Sequence, residues 1–293
     1  MTDQASTLRS LASTNRAPMI NRSARNSRDS RCLAITGGKG GVGKSNLAVN
    51  LALELGLLGN QVALLDADFG LANADLLCGV SPVYHLGHVV EGLKRLEEIA
   101  IPLSEEVELI PGGSGIEDLA NLSLTSRPAI LAQMQDLEEN LDFMIIDTAA
   151  GISEAVCGVL AAASEVIVVA TPEPTSIIDA YATIKVVLRR RPNADISIIV
   201  NSVTGLGDAE HVFKSISTAA SEFLDHKPQL LGMVPSDPQV QDAVRNQVPV
   251  TRWSPASPAS RAIRLIAKQL HRNHRGETNT GTAQSFWAQI ASN

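Results

Sequence analysis

One octapeptide limits what this chain can fold into. Gly38-Lys39-Gly40-Gly41-Val42-Gly43-Lys44-Ser45 follows an apolar run at 32–36 and leads straight into an amphipathic stretch at 45–58. A buried strand must therefore enter a glycine-rich turn, and a helix must leave it. Glycines 38, 40, 41 and 43 let backbone N–H groups face a ligand with no side chain in the way. The start of the helix adds positive partial charge. The physical product is a cradle for phosphate oxygens. Within it, Lys44 has the reach for β- and γ-phosphates, and the Ser45 hydroxyl suits Mg2+.

The chain beyond this point repeats the alternation of strand and helix. Strands are expected at 32–36, 62–66, 107–111, 143–147, 166–170, 196–201 and 230–233. Several are unbroken Val/Ile/Leu runs, as strands covered on both faces require. Helices are expected at 45–58, 85–95, 128–139, 153–163, 176–190, 209–224, 238–246 and 258–270. The fold class is α/β: a mostly parallel twisted sheet of about seven or eight strands with helices on both faces. Aromatic residues are only 3% of the chain, so the core must rest on Ala, Val, Leu and Ile.

Two further strand ends carry acids. In Leu64-Leu65-Asp66-Ala67-Asp68, carboxylates at i and i+2 lie on one side of an extended chain. That suits a ligand site at the carboxyl edge of a parallel sheet, although such a pair also serves turns and helix caps. Ile145-Ile146-Asp147-Thr148-Ala149-Ala150-Gly151 ends an apolar strand in Asp147, an arrangement that brings a carboxylate to the Mg2+ shell. Gly151 and the small residues before it permit the loop to move toward a terminal phosphate.

With Lys39 early in the loop, 39–45 resembles the deviant Walker A signature of the MinD/ParA class of P-loop ATPases. The resemblance covers about residues 31–271. It implies that Lys39 crosses a dimer interface to the partner's ATP, that Asp68 orients the attacking water, and that Asp66 supports Mg2+ through water. Lys39, Lys44 and Asp68 are then the catalytic set, with Ser45, Asp66 and Asp147 around the metal. The nucleotide contacts are Gly38, Lys39, Gly40, Gly41, Val42, Gly43, Lys44, Ser45 and Asn46. At the base, the resemblance adds Asn201, Pro235 and Asp237, although an Asn after a strand is also a common turn residue. ATP and Mg2+ are the implied cofactors, and the implied activity is slow, regulatory ATP hydrolysis.

The ends select a branch. Asp3-Gln4-Ala5-Ser6-Thr7-Leu8-Arg9 resembles the D-Q-A-x-x-L-R motif of the flagellar MinD-like ATPases (FlhG, FleN, YlxH). In those proteins this segment activates the signal-recognition-type GTPase FlhF. The resemblance assigns Asp3, Gln4, Ala5, Leu8 and Arg9 to that partner, with Gln4 near its nucleotide. It implies an ATP-dependent homodimer that regulates flagellar number and placement, with flagellar basal-body proteins or a flagellar transcription regulator as further partners. A MinD-type division-site regulator and a ParA-type partition ATPase are the alternatives.

Three regions follow: a flexible basic arm at 1–30, an ATPase domain at 31–271, and a polar spacer with a short apolar segment at 272–293. Six Arg against Asp3 and Asp29 give residues 1–31 a charge of +4. The whole chain carries −7, which leaves −11 for the body and argues against specific nucleic-acid binding. Phe286 and Ile290 can share a helical face, but no Lys or Arg follows Arg275. Membrane contact through this tail is therefore weak or conditional, and docking on its own domain is the other option. Cys32, Cys78 and Cys157 have no metal spacing, and Cys32 and Cys157 read as reduced core thiols. His85 and His88 read as an exposed helix face. The chain lacks a signal-peptide pattern, so the expected location is the cytoplasm, with recruitment to the inner face of the cell membrane.

Overall fold

The computed structural model describes residues 30–68, 73–113, 127–276 and 285–292. The segment containing Asp3, Gln4, Ala5, Leu8 and Arg9 lies outside them.

Eight strands form one sheet: β1 (Arg31–Thr36), β2 (Val62–Ala67), β3 (Ile101–Pro102), β4 (Val107–Pro111), β5 (Phe143–Thr148), β6 (Glu165–Ala170), β7 (Asp195–Val203) and β8 (Gln229–Pro235). Their spatial order is β3-β4-β2-β5-β1-β6-β7-β8, all parallel except β3 against β4. The two-residue β3 ends in proline and is too short to leave a periodic signal.

Alternation along each strand divides the core. On β1, Leu33 and Ile35 face one layer while Cys32 and Ala34 face the other. The first layer holds α1 (Lys44–Leu57) and α11 (Pro258–Gly276), joined by α10 (Val250–Trp253). The second holds α5 (Arg127–Glu138), α6 (Glu154–Ala162), α7 (Pro174–Arg190), α8 (Leu206–Leu224) and the C-terminal α12 (Phe286–Ser292). Short helices α2 (Ala74–Cys78), α3 (Leu86–Val90), α4 (Leu96–Ile99) and α9 (Pro238–Arg245) fill the connections. The central strands are buried on both faces, as their unbroken apolar runs require.

Three helix expectations change. The helix expected at 85–95 splits into α3 and α4, because Gly92 takes a left-handed φ of 74°. His85 and His88 are half-buried rather than an open face: His85 Nδ1 accepts from Gly87 N, and His88 Nδ1 accepts from His85 N. The helix expected to stop at Leu270 runs on to Gly276. His271 Nδ1 lies 2.9 Å from Asn60 Oδ1, and the buried His274 ring packs tilted against Phe143 with centroids 4.8 Å apart. Tertiary partners thus carry the helix through a polar run.

The tail docks on the body. Phe286, Trp287 and Ile290 are buried against α5 and α6. Glu138 caps the start of α12: Ser285 Oγ donates to Oε2 at 2.6 Å and Phe286 N to Oε1 at 3.0 Å. Cys32 and Cys157 are free and buried. No helix among the described residues is long and apolar enough to cross a membrane.

At the amino edge of the sheet, Arg31 Nη2 meets Glu165 Oε2 at 2.5 Å, with both side chains largely buried. Burial pushes the Glu165 carboxyl up, and Arg31 opposes that. Replacing Arg31 with Met leaves the carboxylate unpaired. The expected loss of stability at pH 8 is about 3–5 kcal/mol by chemical denaturation, shrinking at lower pH as Glu165 takes up a proton.

Candidate nucleotide site

The pairing of three central strands builds this site. Ile35 on β1 and Asp66 on β2 both register with Asp147 on β5. Because the strands are parallel, all three carboxyl ends open on one edge of the sheet, where α/β folds hold ligands. The chain leaving β1 makes the glycine loop. Gly41 and Gly43 have φ of 81° and 96°, conformations that side chains oppose. Gly43 is also the N-cap of α1 and offers no capping side chain, so the first amides of that helix face the site.

Packing around the loop is uneven. A Cβ at Gly38 would lie 2.6 Å from both the Cβ and the carbonyl oxygen of Asp179 on α7. Gly40 and Gly41 have nothing within 4 Å of such an atom. The loop is pinned at one side and open in the middle. Gly151 N donates to Gly37 O at 3.2 Å, which ties the segment after β5 to the start of the loop.

Lys44 is buried, with Nζ 3.5 Å from the Lys39 carbonyl. Burial lowers its pKa, while Asp147 and Asp68 pull it back up. Asp147 is fully buried, and neither of its oxygens has a hydrogen-bond partner. Burial raises its pKa from 3.8 to about 7. The nearby Ser45 hydroxyl eases ionisation without reaching hydrogen-bond geometry. Asp66 is better satisfied. Its Oδ1 accepts from Asp68 N and its Oδ2 from Ala74 N, each at 3.1 Å, yet burial still lifts it to about 6. Asp68 is half-buried at the end of β2, close enough to act on the charge of Lys44.

An orphaned carboxylate beside a hydroxyl at a phosphate cradle fits Mg2+, which takes one or two protein ligands and fills its shell with phosphate and water. No group of three or more His, Cys, Asp or Glu among the described residues could hold a metal without such help.

Lys39 sits at the rim, 44% exposed, its Nζ 2.6 Å from Glu173 Oε2 and 3.5 Å from Thr175 Oγ1. The Glu173 hydrogen bond raises its pKa. Asn46 lies in the first turn of α1, and its carbonyl takes Asn50 Nδ2 at 2.7 Å. Two residues expected at the base have other duties here. Asn201 Nδ2 donates to the Val42 carbonyl at 2.8 Å, bracing the loop. Asp237 accepts from Gln239 N and Ala259 N, both at 3.0 Å, so its carboxylate caps α9 and the start of α11. Both carboxylate oxygens are thus engaged by backbone amides. Pro235 ends β8 beside Val203, next to Asn201. Glu173 and Asp179 escaped the sequence reading. The signal was an acid just beyond the strand that neighbours β1, in Thr171-Pro172-Glu173.

A glycine cradle at the first strand-to-helix turn, a buried lysine and a carboxylate on the adjacent strand define a P-loop nucleotide hydrolase. Comparison with known proteins narrows the class. The ParA family model, described as NUBPL iron-transfer P-loop NTPase, matches residues 29–271. The antiactivator FleN of Pseudomonas aeruginosa is 39% identical over 238 residues, 81% of this chain and 85% of that protein. The flagellum site-determining protein YlxH of Helicobacter pylori is 33% identical over 246 residues, 83% and 82% of the two chains. The septum site-determining protein MinD of Pyrococcus horikoshii, solved with Mg-ADP, superimposes with a TM-score of 0.66 at 23% identity, covering 83% of this chain and 97% of that one. The chain belongs to the ParA/MinD family of P-loop ATPases, and it is an ATP hydrolase.

The unpartnered Asp147 has a measurable consequence. Its carboxyl is neutral in folded and unfolded chains well below pH 3.8, so it costs nothing there. As pH climbs from 3.8 to about 7, only the unfolded chain ionises freely, and the folded state loses ground. Asp147→Asn is expected to stabilise the nucleotide-free protein by roughly 1–3 kcal/mol at pH 8 and to have little effect near pH 4. Denaturant titrations at the two pH values read the difference. The same variant should lose the rise in melting temperature that Mg·ATP gives the parent.

Proposed function

We propose that this chain is a Mg2+-dependent ATPase that acts as a nucleotide-driven dimerisation switch in the control of flagellar number and placement. The observation that carries this reading is Lys39: a second loop lysine, exposed at the rim, whose described hydrogen-bond partners lie on the neighbouring strand-to-helix turn rather than in the cradle. Similarity to FleN and YlxH over four-fifths of the chain supports the flagellar setting.

In this reading the loop amides of residues 38–45 hold the β-phosphate, and Lys44 offsets charge on the β- and γ-phosphates. Ser45 and Asp147 hold Mg2+, with Asp66 acting through water. When bound, the ion neutralises phosphate charge. Asp68 orients a water for attack on the γ-phosphorus, and the bond to the bridging oxygen breaks to leave ADP and phosphate. Lys39 lets go of Glu173 and reaches the nucleotide of a second copy. Hydrolysis then withdraws the charge that the two copies share, and they part. Asn201 and Pro235 flank the base, and Asn201 also braces the loop through Val42.

The N-terminal segment with Gln4 serves an FlhF-type GTPase, where a glutamine can orient a second attacking water. Basal-body proteins or a flagellar transcription regulator would read the dimer. The tail helix bound against α5 and α6 makes membrane contact through the tail itself conditional on its release.

Two experiments test the proposal. Asp68→Ala should accumulate as an ATP-bound dimer in light scattering, whereas Lys39→Ala stays monomeric with ATP. A monomeric Asp68→Ala protein at saturating ATP removes the switch. Separately, a peptide of residues 1–20 should accelerate GTP hydrolysis by the cognate FlhF-type GTPase about tenfold or more, and Gln4→Ala should abolish this. A peptide with no effect removes the GTPase partner and leaves the ATPase cycle standing.

A further inference from the structure

Helix α11 presents a cationic face on an acidic protein. Its sequence, Pro258–Gly276, contains no Asp or Glu. Arg261, Arg264, Lys268 and Arg272 recur at spacings of three and four, which sets them along one side of the helix. Arg261, Lys268 and Arg272 are exposed. Arg264 is matched: its Nε and Nη2 bond both oxygens of Glu54 on α1, at 2.9 and 3.1 Å. Arg261 stands near Asp237, whose carboxylate is already capping two helices. Lys268 and Arg272 form no salt bridge with a described residue, and the net charge of the chain is −7.

Apolar side chains lie among these cations. Leu265 is 66% exposed on the same face. Helices α1 and α11 run side by side, tied at Glu54–Arg264 and again at Asn60–His271. Between those ties is Leu57, one turn beyond Glu54 and 77% exposed. Trp253 of α10, which packs on α11, is 43% exposed. Single exposed hydrophobics are ordinary, but Leu265 stands within the row of cations and Leu57 lies between the two ties that hold α1 beside α11.

We propose that the α11–α1 face docks on an anionic membrane surface. Arg261, Lys268 and Arg272 meet lipid phosphates, and Leu265, Leu57 and Trp253 enter the boundary between headgroups and acyl chains. The apolar residues select lipid over nucleic acid, because a phosphate backbone rewards cations and offers an exposed leucine nothing. This surface is distinct from the tail. Helix α12 supplies Phe286, Trp287 and Ile290 without a single cation, and it packs in the other layer of the sheet. The two are complementary in chemistry: one brings apolar area, the other charge. Neither the surface nor its test depends on the ATPase cycle.

Cosedimentation of the full chain with vesicles tests this, using phosphatidylcholine alone against phosphatidylcholine with one-quarter phosphatidylglycerol, at low and physiological salt. The chain should bind the anionic vesicles and lose affinity as salt rises. Reversing charge at three exposed positions (R261E, K268E, R272E) should weaken binding at least about a hundredfold. Leu265→Gln should weaken it with the salt dependence kept. A full-length F286A/W287A/I290A variant should retain the salt-sensitive binding, which separates this face from the tail. Melting temperature and ATP hydrolysis serve as folding controls. If the triple variant unfolds, K268E/R272E alone must still cost at least about tenfold. Equal binding to neutral and anionic vesicles, or charge-reversed protein that binds like the parent, overturns the proposal. So does retention of a labelled DNA duplex, lost on charge reversal, by a chain that ignores the vesicles.

Discussion

The parallel register of β1, β5 and β2 is the constraint on which the site depends. Ile35, Asp147 and Asp66 stand side by side across three strands, so the glycine loop and two carboxylates emerge at one edge. A slip of one residue would turn Asp147 to the opposite face of the sheet and exchange the core residues of both layers. The apolar runs that bury these strands therefore also aim the chemistry. Packing and site are specified by the same alternation.

That edge is electrostatically unfinished. Lys44 and Asp147 are both buried, and desolvation pushes each toward its neutral form. Asp147 accepts no hydrogen bond, while Asp66 is held by two backbone amides. A buried carboxylate with both oxygens unpaired, beside the Ser45 hydroxyl at the glycine loop, fits a cation. The loop contributes a matching demand: Gly41 and Gly43 hold left-handed backbone conformations, and the space beside Gly40 and Gly41 is open. In the proposed cycle, phosphate and Mg2+ answer both demands together.

Away from the site, polar ties assemble the layers. Arg31–Glu165 closes the amino edge, His271–Asn60 fixes α11 to the turn after α1, and Glu138 at the end of α5 caps α12. Asp237 joins the carboxyl edge of β8 to the start of α11. Through that hydrogen bond the carboxyl edge of the sheet is tied to the helix with the cationic face. Lys39–Glu173 differs from these ties because both partners are well exposed, so it contributes little stability and can be exchanged for another contact.

Local sequence determined much of this protein. The loop motif fixed a strand, a turn and a helix in order, and the unbroken apolar runs fixed seven of the eight strands within a residue or two. Asp66, Asp68 and Asp147 could be placed at strand ends for the same reason, because period and polarity are local properties. What the tertiary structure decided is which polar groups are already occupied. Asp237 is a helix cap, Asn201 braces Val42, and Lys39 rests on Glu173, a residue 134 positions away. The extension of α11 to Gly276 and the docking of Phe286, Trp287 and Ile290 rest equally on distant partners, Asn60, Phe143 and Glu138. Hydrogen bonds between residues far apart in the chain leave no periodic trace, so only the folded arrangement reveals them.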